Sequence, residues 1–333
     1  MDSERHRKDL EAIARRAMEE KGLRPEFSPA AIKEAERLSP APPRGDGVRD
    51  LRSLPWCSID NDDTRDLDQL TVAEPLEGGA ARVRIAVADV DVLVALGSAI
   101  DEHARENTTS VYTVARVFHM LPERLSTGLT SLNEGEDRRA LVVEFVVRKD
   151  GSTTDEDVYS AAVHNRAKLV YETVAAWLDG DGPMPEALAA VPGLDEQIRL
   201  QDAAAQRLRR LRHERGALDL RRNDVRPVLR GGKVAAFKND DSDRAKELIQ
   251  DFMITANSTI ARFLAARRLP SLRRIVRVPR RWDRIIDLAR EHGERLPSEP
   301  DSRALSEFLN RRHKADPEAY PELSLAVVKL IGS

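Results

Sequence analysis

Ten residues near the start of the chain have the sequence Asp60-Asn61-Asp62-Asp63-Thr64-Arg65-Asp66-Leu67-Asp68-Gln69 and include five carboxylates. Like charges at this density repel one another unless a positive group lies among them. A divalent cation would supply that charge. The available ligands are oxygens, without clustered Cys or His residues, so the composition favours a hard cation, Mg²⁺ or Mn²⁺, over zinc.

Two other interpretations of this acidic segment are weaker. A solvated acidic loop is the common one, but Trp56–Ile59 and Leu70–Val72 flank the segment with apolar residues typical of strands. A calcium-binding EF-hand loop is the other. It fails because Arg65 stands where that loop needs its turn glycine, and Thr71 stands where it needs a bidentate Glu.

The spacing of the acids resembles the signature of the ribonuclease II/RNase R catalytic family. That signature is an apolar dipeptide, an Asp, five residues and then Asp-x-Asp-Asp. Here Ser58-Ile59-Asp60 and Asp66-Leu67-Asp68-Gln69 match three of its four acids, with Gln69 in place of the fourth. An amide oxygen can contact a metal but brings no negative charge.

The resemblance continues through further motifs in the same order, over roughly residues 51 to 333. These motifs are Ala88-Asp89, Gly97–Asp101, Tyr112 with Met120–Ser126, Ser131–Arg138, Lys168–Tyr171 and Ile249–Asn257. Several collinear motifs are far more specific than any single one.

The resemblance implies an α+β (mixed α/β) catalytic domain and a Mg²⁺-dependent 3′→5′ exoribonuclease that releases nucleoside 5′-monophosphates from single-stranded RNA. Asp60, Asp66, Asp68 and Gln69 would hold the metal, with Mn²⁺ as a substitute for Mg²⁺. Asp66 and Asp68 would be catalytic, and Asp68 would be the least replaceable. The three aspartates should therefore converge in a hole lined by tyrosine and arginine.

The same resemblance implies RNA contacts at Tyr112, Tyr171 and Leu220. Leu220 stands where the family has an aromatic clamp residue, and Gln250 stands where the family has a Glu. The family also places a further module, with an arginine that grips the scissile phosphate, after the point where this sequence ends. We therefore expect the domain to be incomplete at its C-terminus, and the apolar run Leu323–Ile331 to lack its partner segment.

Charge distribution agrees with a nucleic-acid substrate. Net charge is only −3, but Arg207–Lys233 contains ten Lys or Arg against three Asp or Glu, and Arg262–Arg284 contains nine Arg against one Asp. Such stretches suit a phosphate polymer led over a basic surface to acid-held metal. The lone cysteine, Cys57, excludes an internal disulfide framework and is expected to be a buried hydrophobe.

Cellular context follows from the termini and hydropathy. The charged N-terminus leads into no apolar segment, so we expect neither a signal peptide nor a membrane span. We expect a cytoplasmic monomer whose partners are single-stranded RNA and other RNA-decay proteins, without membrane association.

The chain is expected to divide at about residue 50. Residues 1–50 should form a small helical segment and linker, with Ser28 as the N-cap of a helix over Pro29–Leu38. Residues 51–333 should form the catalytic domain, with a mostly antiparallel sheet. The expected strands are Arg82–Val90, Leu141–Val147, Asp157–Val163, an Arg226–Phe237 hairpin turning at Gly231-Gly232, and Arg274–Val278. The expected helices are Lys168–Leu178, Leu194–Arg215, Asp243–Arg268 and Trp282–His292.

Two rival functions stay open. Because Gln69 replaces an acid, the chain could be a catalytically impaired RNA-binding member of the same fold. It could also be a metal-dependent hydrolase of a small phosphate ester, since acidic clusters serve those enzymes too. His119 and His164 are poor candidates for a general base, because metal-bound water needs no imidazole and no nucleophile motif accompanies them.

Overall fold

The structure is a computed structural model that describes residues 2–42, 45–218, 220, 225–230, 233–239, 242–273 and 278–332. The helices are α1 (Asp2–Glu20), α2 (Pro29–Arg37), α3 (Ala99–Asn107), α4 (Tyr171–Asp179), α5 (Glu186–Ala189), α6 (Leu194–Glu214), α7 (Arg244–Ala266), α8 (Trp282–Glu291), α9 (Ser302–Ala315) and α10 (Tyr320–Ile331). The strands are β1 (Arg49–Asp50), β2 (Trp56–Asp60), β3 (Gln69–Pro75), β4 (Ala81–Ala88), β5 (Val111–Tyr112), β6 (Val117–Phe118), β7 (Asp137–Val147), β8 (Thr153–Val170), β9 (Val225–Arg230) and β10 (Lys233–Asn239).

The main sheet has the strand order β1-β8-β2-β3-β4-β7, and β7 also pairs with β8. The 18-residue strand β8 makes this possible, because Thr153–His164 pairs with β7 while Asn165–Val170 pairs with β2. The sheet thus closes on itself, as in a barrel. Its pairs are antiparallel apart from β1–β8 and β2–β8. The predicted α+β fold with a mostly antiparallel sheet is confirmed.

Alternation along the strands gives the sheet two apolar faces. On one face, Cys57, Ile59 and Ile85 pack under helices α4, α6 and α7. On the other face, inside the closed sheet, Trp56 and Val72 meet small and branched side chains from facing strands. Cys57 is fully buried, as predicted, and burial raises the pKa of its thiol to about 12.

The N-terminal segment packs onto the rest of the chain. Ser28 caps α2 as predicted, accepting a hydrogen bond from the Ala31 amide at 3.1 Å. Ala31 and Ala35 of α2 then pack against Ile100 of α3 and Leu125 of a π-helical turn at Arg124–Leu129. Helix α2 therefore shares a core with the main domain.

Several predicted elements are confirmed, among them β4, α6, α7, α8 and the turn between β7 and β8. At that turn Gly151 adopts a φ of 84°, and its amide donates to the Arg148 carbonyl at 3.0 Å. The β9–β10 hairpin is present as well. Its predicted turn at Gly231-Gly232, and residues 274–277 of the predicted strand Arg274–Val278, lie outside the described residues.

Two predictions are wrong. The helix expected over Lys168–Leu178 begins only at Tyr171, because Lys168 to Val170 extend β8 by pairing with Ser58 to Asp60 of β2. The run Leu323–Ile331 does not lack a partner. It belongs to α10, and Leu323 and Val327 pack with Trp282 of α8 and Phe308 of α9.

The helices were compared with what a membrane-spanning helix requires. Within the described ranges, none of them has both the length and the apolar character that spanning a bilayer requires.

Candidate active site

The acidic segment connects two neighbouring strands. Asp60 is the last residue of β2 and Gln69 is the first of β3. The two strands run antiparallel, with Cys57 opposite Thr71, so the connection brings Asp60 and Asp68 to the same end of the sheet. The Ala88 amide bonds the Asp68 carbonyl at 3.0 Å, which extends the β3–β4 ladder to this residue.

Polar groups, some buried and some partly exposed, fix the backbone of this loop. The Ser131 hydroxyl accepts a hydrogen bond from the Leu67 amide at 3.0 Å and lies 3.0 Å from the Arg65 carbonyl oxygen. The Leu132 amide donates to the Leu67 carbonyl at 2.8 Å. Lys168 Nζ donates to the carbonyls of Asp62 and Thr64 at 2.8 and 2.7 Å. These bonds hold a self-repelling stretch of chain in one conformation.

Asp60 and Leu67 also stabilise the conformation of the loop. Asp60 Oδ1 accepts from its neighbouring amide, Asn61 N, at 2.7 Å and from Thr64 Oγ1 at 2.9 Å. Such side-chain bonds to the following residues are typical of a turn that begins at Asp. Leu67 is 4% exposed and packs inside the closed sheet. The loop therefore buries one apolar side chain and presents its acids elsewhere.

Asp60, Asp66 and Asp68 line one cavity of about 1080 Å³. Tyr112 lines it too, and its hydroxyl donates to Asp66 Oδ2 at 2.7 Å. The pKa of Asp68 is raised, first by burial among protein atoms and then by the charges of Asp60 and Asp66, although its side chain stays open to the cavity. Three predicted carboxylates and one predicted RNA-contacting tyrosine thus come together.

Tyr112 and Tyr171 have different surroundings. Tyr112 is 65% exposed, while burial and the Asp66 hydrogen bond raise the pKa of its hydroxyl to about 12. Tyr171, the first residue of α4, is half-buried against the large core under the helices. Burial, and then the charges of Asp60, Asp68 and Asp243, raise the pKa of its hydroxyl. Tyr171 is therefore near Asp60 and Asp68, but it is not among the residues that line their cavity.

Gln69 and Leu220 do not join this group. Gln69 is 8% exposed, and strand alternation turns its side chain to the face opposite Asp68, so it is not among the cavity-lining residues. Leu220 packs against the cluster formed by α8, α9 and α10. The sequence could have indicated that Gln69 faces away from Asp68, since adjacent residues of a strand point to opposite faces.

The two histidines occupy other places. His164 Nδ1 lies 2.7 Å from Asp137 Oδ1, in a pair at the protein surface. His119 lines a neighbouring cavity of about 610 Å³ that also touches Asp63 and Asp66. Neither ring lines the cavity of the three aspartates, which agrees with their rejection as general bases.

The donor chemistry of the cavity suits a hard cation, because Asp60, Asp66 and Asp68 offer carboxylate oxygens alone. Burial, and then the charges of Asp60 and Asp66, raise the pKa of Asp68, and a bound cation would relieve the repulsion among the three carboxylates. In the described part of the chain, however, no three His, Cys, Asp or Glu side chains stand close enough together to hold a metal ion. The acids share a cavity but are not gathered into one coordination sphere.

Sequence reasoning missed the residues that brace the site. Ser131 and Lys168 both fall in motifs quoted above, yet nothing in those motifs assigns them to the acidic loop. Arg138 stabilises the segment that carries Ser131, because its guanidinium donates hydrogen bonds to the Ser131 carbonyl at 3.0 Å and to the Gly128 carbonyl at 3.0 Å. The sequence signal for Ser131, Lys168 and Arg138 was that they lie in the ordered motifs of the family. That signal associates them with the acids but does not assign them a role.

Comparisons with known proteins show the family to which the chain is similar. The RNB domain model matches residues 48–333. Ribonuclease R of Thermotoga maritima is 33% identical over 258 residues, which are 76% of this chain and 36% of that protein. Ribonuclease R of Escherichia coli is 35% identical over 231 residues, 69% of this chain and 28% of that protein. The chain thus spans about a third of the length of these curated relatives.

The fold comparison gives the same answer. The structure of Mycoplasma genitalium RNase R in complex with ribose-methylated single-stranded RNA matches with a TM-score of 0.87 and 21% identity, over 95% of this chain and 50% of that one. At that identity the likeness concerns the fold. From the family match over residues 48–333 and this shared fold, we conclude that the chain belongs to the RNB domain family.

Proposed function

We propose that this chain supplies the catalytic domain of a Mg²⁺-dependent 3′→5′ exoribonuclease that hydrolyses single-stranded RNA to nucleoside 5′-monophosphates. The observation that carries the proposal is the convergence of Asp60, Asp66 and Asp68 on one cavity beside the exposed Tyr112. Family membership and the relatives named Ribonuclease R support it, as does the RNA in the solved complex of a relative.

The aspartates would hold the metal. When bound, Mg²⁺ activates a water molecule and neutralises charge on the phosphate oxygens. Asp60, Asp66 and Asp68 would provide its ligands, and the bonds from Ser131 and Lys168 keep the backbone of these ligands in place. Asp66 would first have to exchange its hydrogen bond from Tyr112 for the metal or keep both through its two oxygens.

The tyrosines would hold RNA. Stacking of a base on an aromatic ring contributes about 1–3 kcal/mol per base and tolerates every base, which suits an enzyme that must degrade any sequence. Tyr112 presents most of its side chain to solvent at the cavity. Tyr171 packs against the core and does not line the cavity, so its role would be to shape the site near the terminal nucleotide.

A second candidate is an RNA-binding protein without hydrolytic activity. It is favoured by Gln69, which replaces an acid and is buried away from the cavity, so it offers no oxygen there. A hydrolase of small phosphate esters is not favoured by any particular contact. A salt titration distinguishes such a hydrolase from the nuclease and from the RNA-binding protein. Binding of a polynucleotide weakens steeply with added salt, whereas turnover of a small ester does not.

The experiment is an assay of the purified protein with 3′-labelled single-stranded RNA and Mg²⁺. We expect release of labelled nucleoside 5′-monophosphate from the earliest times. Asp68→Asn should bind the RNA but release no nucleotide, whereas Asp62→Asn should behave like the unmodified chain, because Asp62 is exposed and does not line the cavity. Binding without release in the unmodified chain would support the second candidate. Undiminished release in Asp68→Asn would overturn the nuclease proposal.

A further inference from the structure

The hairpin that carries Tyr112 is very small. Strands β5 and β6 have two residues each, with Val111 opposite Phe118 and Tyr112 opposite Val117. Thr113 closes the turn, donating from Oγ1 to the Arg116 carbonyl at 2.6 Å and accepting from the Arg116 amide at 3.1 Å. An isolated two-stranded hairpin is marginal at best in water. The position of Tyr112 therefore depends on what the hairpin touches.

Helix α1 and the turn after it contact the hairpin, and Glu26, Arg116 and Phe118 line the cavity of about 610 Å³ that also touches Asp63 and Asp66. Glu11 Oε1 accepts from Arg116 Nη1 at 2.9 Å and from Arg15 Nη2 at 2.7 Å. Glu26 pairs with Arg15 and lies 3.8 Å from Arg116. Both guanidinium groups lie over the Phe118 ring, 5.7 Å (Arg15) and 5.2 Å (Arg116) from its centroid. Two acids, two arginines and one aromatic ring thus join the N-terminal segment to β6.

The N-terminal segment is itself fixed, so these contacts have a rigid base. The amide of Arg24 donates to Asn107 Oδ1 at 2.7 Å, and Asn107 Nδ2 donates back to the Arg24 carbonyl at 2.8 Å. Asn107, at the end of α3, is 3% exposed, and Met18 of α1 is 4% exposed. Buried bonds of this kind hold better than exposed ion pairs.

These contacts form a continuous path to the acids. It runs from α1 through Arg116 and Phe118 of the hairpin to Tyr112, whose hydroxyl bonds Asp66. Residues on this path are far apart in sequence, since 105 positions separate Glu11 from Arg116 and 46 separate Asp66 from Tyr112. One route of contacts from helix α1 to the cavity of the three aspartates therefore passes through Tyr112.

We propose that Glu11 and Glu26 are positioning residues, which hold the β5–β6 hairpin so that Tyr112 faces the cavity ready to receive an RNA base. The inference rests on the proposed function for its ligand, single-stranded RNA, and gives the N-terminal helices a part in it. A ring already held in place loses less freedom when it binds, so the anchor contributes to affinity without touching RNA.

The direction in which RNA affinity changes, when Glu11 and Glu26 are neutralised, distinguishes a positioning role from a purely electrostatic effect. Removing a negative charge near a bound polyanion strengthens its binding. Loss of a positioning contact weakens binding instead, because the tyrosine is no longer held in place. Neutralising Glu11 and Glu26 therefore has opposite consequences in the two cases.

The test compares the double variant Glu11→Gln/Glu26→Gln with Glu19→Gln/Glu20→Gln. The second pair makes the same change of charge at two exposed residues of α1. Binding of a short fluorescent oligouridylate is measured in EDTA, so that hydrolysis does not interfere. We expect a roughly three- to tenfold rise in Kd for the first pair, and an unchanged or slightly lower Kd for the second. An unchanged or lower Kd for the first pair would overturn the inference.

Two further measurements locate the effect. In a Tyr112→Ala background the first pair should have no further effect on Kd, because non-additivity is the mark of coupled residues. An undiminished effect there would show that the acids act elsewhere. Without RNA, hydrogen exchange of the amides in residues 111–118 should be faster in the first pair only, and unchanged exchange would also overturn the inference. If Tyr112→Ala alone left Kd unchanged while exchange behaved as expected, the proposed RNA contact of Tyr112 would fail and the anchoring would stand.

Discussion

Two walls of the cavity, the acidic loop and the Tyr112 hairpin, are held by different forces. The acidic loop is held through its backbone by groups such as Ser131, which is 2% exposed. The Tyr112 hairpin is held by ion pairs among side chains that solvent reaches, with Arg116 42% and Glu26 57% exposed. Buried hydrogen bonds respond little to salt, whereas exposed pairs are screened and weak. One wall is therefore fixed and the other adjustable, which would suit the proposed function, in which a metal stays in place while RNA advances.

The largest expected effect comes from breaking the fixed wall at Lys168. Lys168→Met removes both hydrogen bonds to the carbonyls of Asp62 and Thr64. Loss of groups that orient metal ligands typically costs about 10- to 100-fold in metal affinity, and we expect a loss of that order. Titration with Mn²⁺, followed by electron paramagnetic resonance, measures it without an activity assay.

Arg166→Met is the matched control for Lys168→Met. Arg166 is exposed on the same strand, and its guanidinium bonds the Arg52 carbonyl rather than the acidic loop. Its loss should leave Mn²⁺ affinity within about twofold, as surface substitutions usually do little. Equal losses in the two variants would show that Lys168 acts by general charge and not by holding the loop.

On the adjustable wall, Tyr112→Ala should weaken binding of single-stranded RNA about tenfold, towards the lower end of the range for one stacked base. Tyr112→Phe keeps the ring but removes the hydroxyl that bonds Asp66. It should bind RNA nearly as well as the unmodified chain. Fluorescence anisotropy with a labelled oligonucleotide in EDTA checks both, and equal weakening in the two variants would mean that the hydroxyl, not the ring, carries the contact.

Removing the Ser131 hydroxyl should lower stability. Ser131→Ala leaves the buried Leu67 amide without its acceptor, which costs about 1–3 kcal/mol in the free energy of unfolding. Ser126→Ala is the control, because its hydroxyl makes only a 3.5 Å contact with the Pro122 carbonyl. We expect it to cost less than about 0.5 kcal/mol. Urea denaturation compares the two, and equal midpoints would contradict the bracing role of Ser131.

The smallest effects concern pH, and the two walls should respond in opposite directions. Arg15 and then Arg116 lower the pKa of Glu11 through hydrogen bonds, so its stabilising contribution is present above its usual range near 4.5 and is lost as pH falls through the lowered value. The pKa of Asp68 is raised by burial and then by Asp60 and Asp66, so its ionised form carries a cost at neutral pH that is relieved as pH falls through the raised value.

Melting temperatures of two variants test these signs. Glu11→Gln should melt slightly below the unmodified chain at neutral pH, by about 1–2 °C, and the difference should vanish once the pH has fallen below the lowered pKa of Glu11. Asp68→Asn should melt slightly above it at neutral pH, and that gain should shrink on acidification. A pH dependence of the same sign for both variants would remove the contrast between the walls.

Local patterns in the sequence predicted local structure well. The Ser28 cap, the Gly151 turn and helices α6 and α7 follow from periodicity together with capping or turn residues over a few positions. The three aspartates of the site were also predicted, because their spacing is itself a motif. The helix predicted over Lys168–Leu178 started too early for a different reason. Only pairing with the distant strand β2 makes Lys168 to Val170 part of a strand.

Contacts between distant segments could not be predicted. Closure of the sheet depends on β8 pairing with β2 and β7 at once, and no local pattern encodes two partners. The bond from Tyr112 to Asp66 and the pairing of Glu11 with Arg116 are equally remote in sequence. Gln69 is the intermediate case, because strand alternation places it opposite Asp68 once the start of β3 is known.

The most direct test of the account is anomalous diffraction from crystals of the protein soaked in Mn²⁺. We expect a peak in the cavity with carboxylate oxygens of Asp60, Asp66 and Asp68 about 2.0–2.2 Å away, and without an oxygen from Gln69. A well-occupied Mn²⁺ elsewhere, with these three carboxylates left directed at solvent, would contradict the central claim.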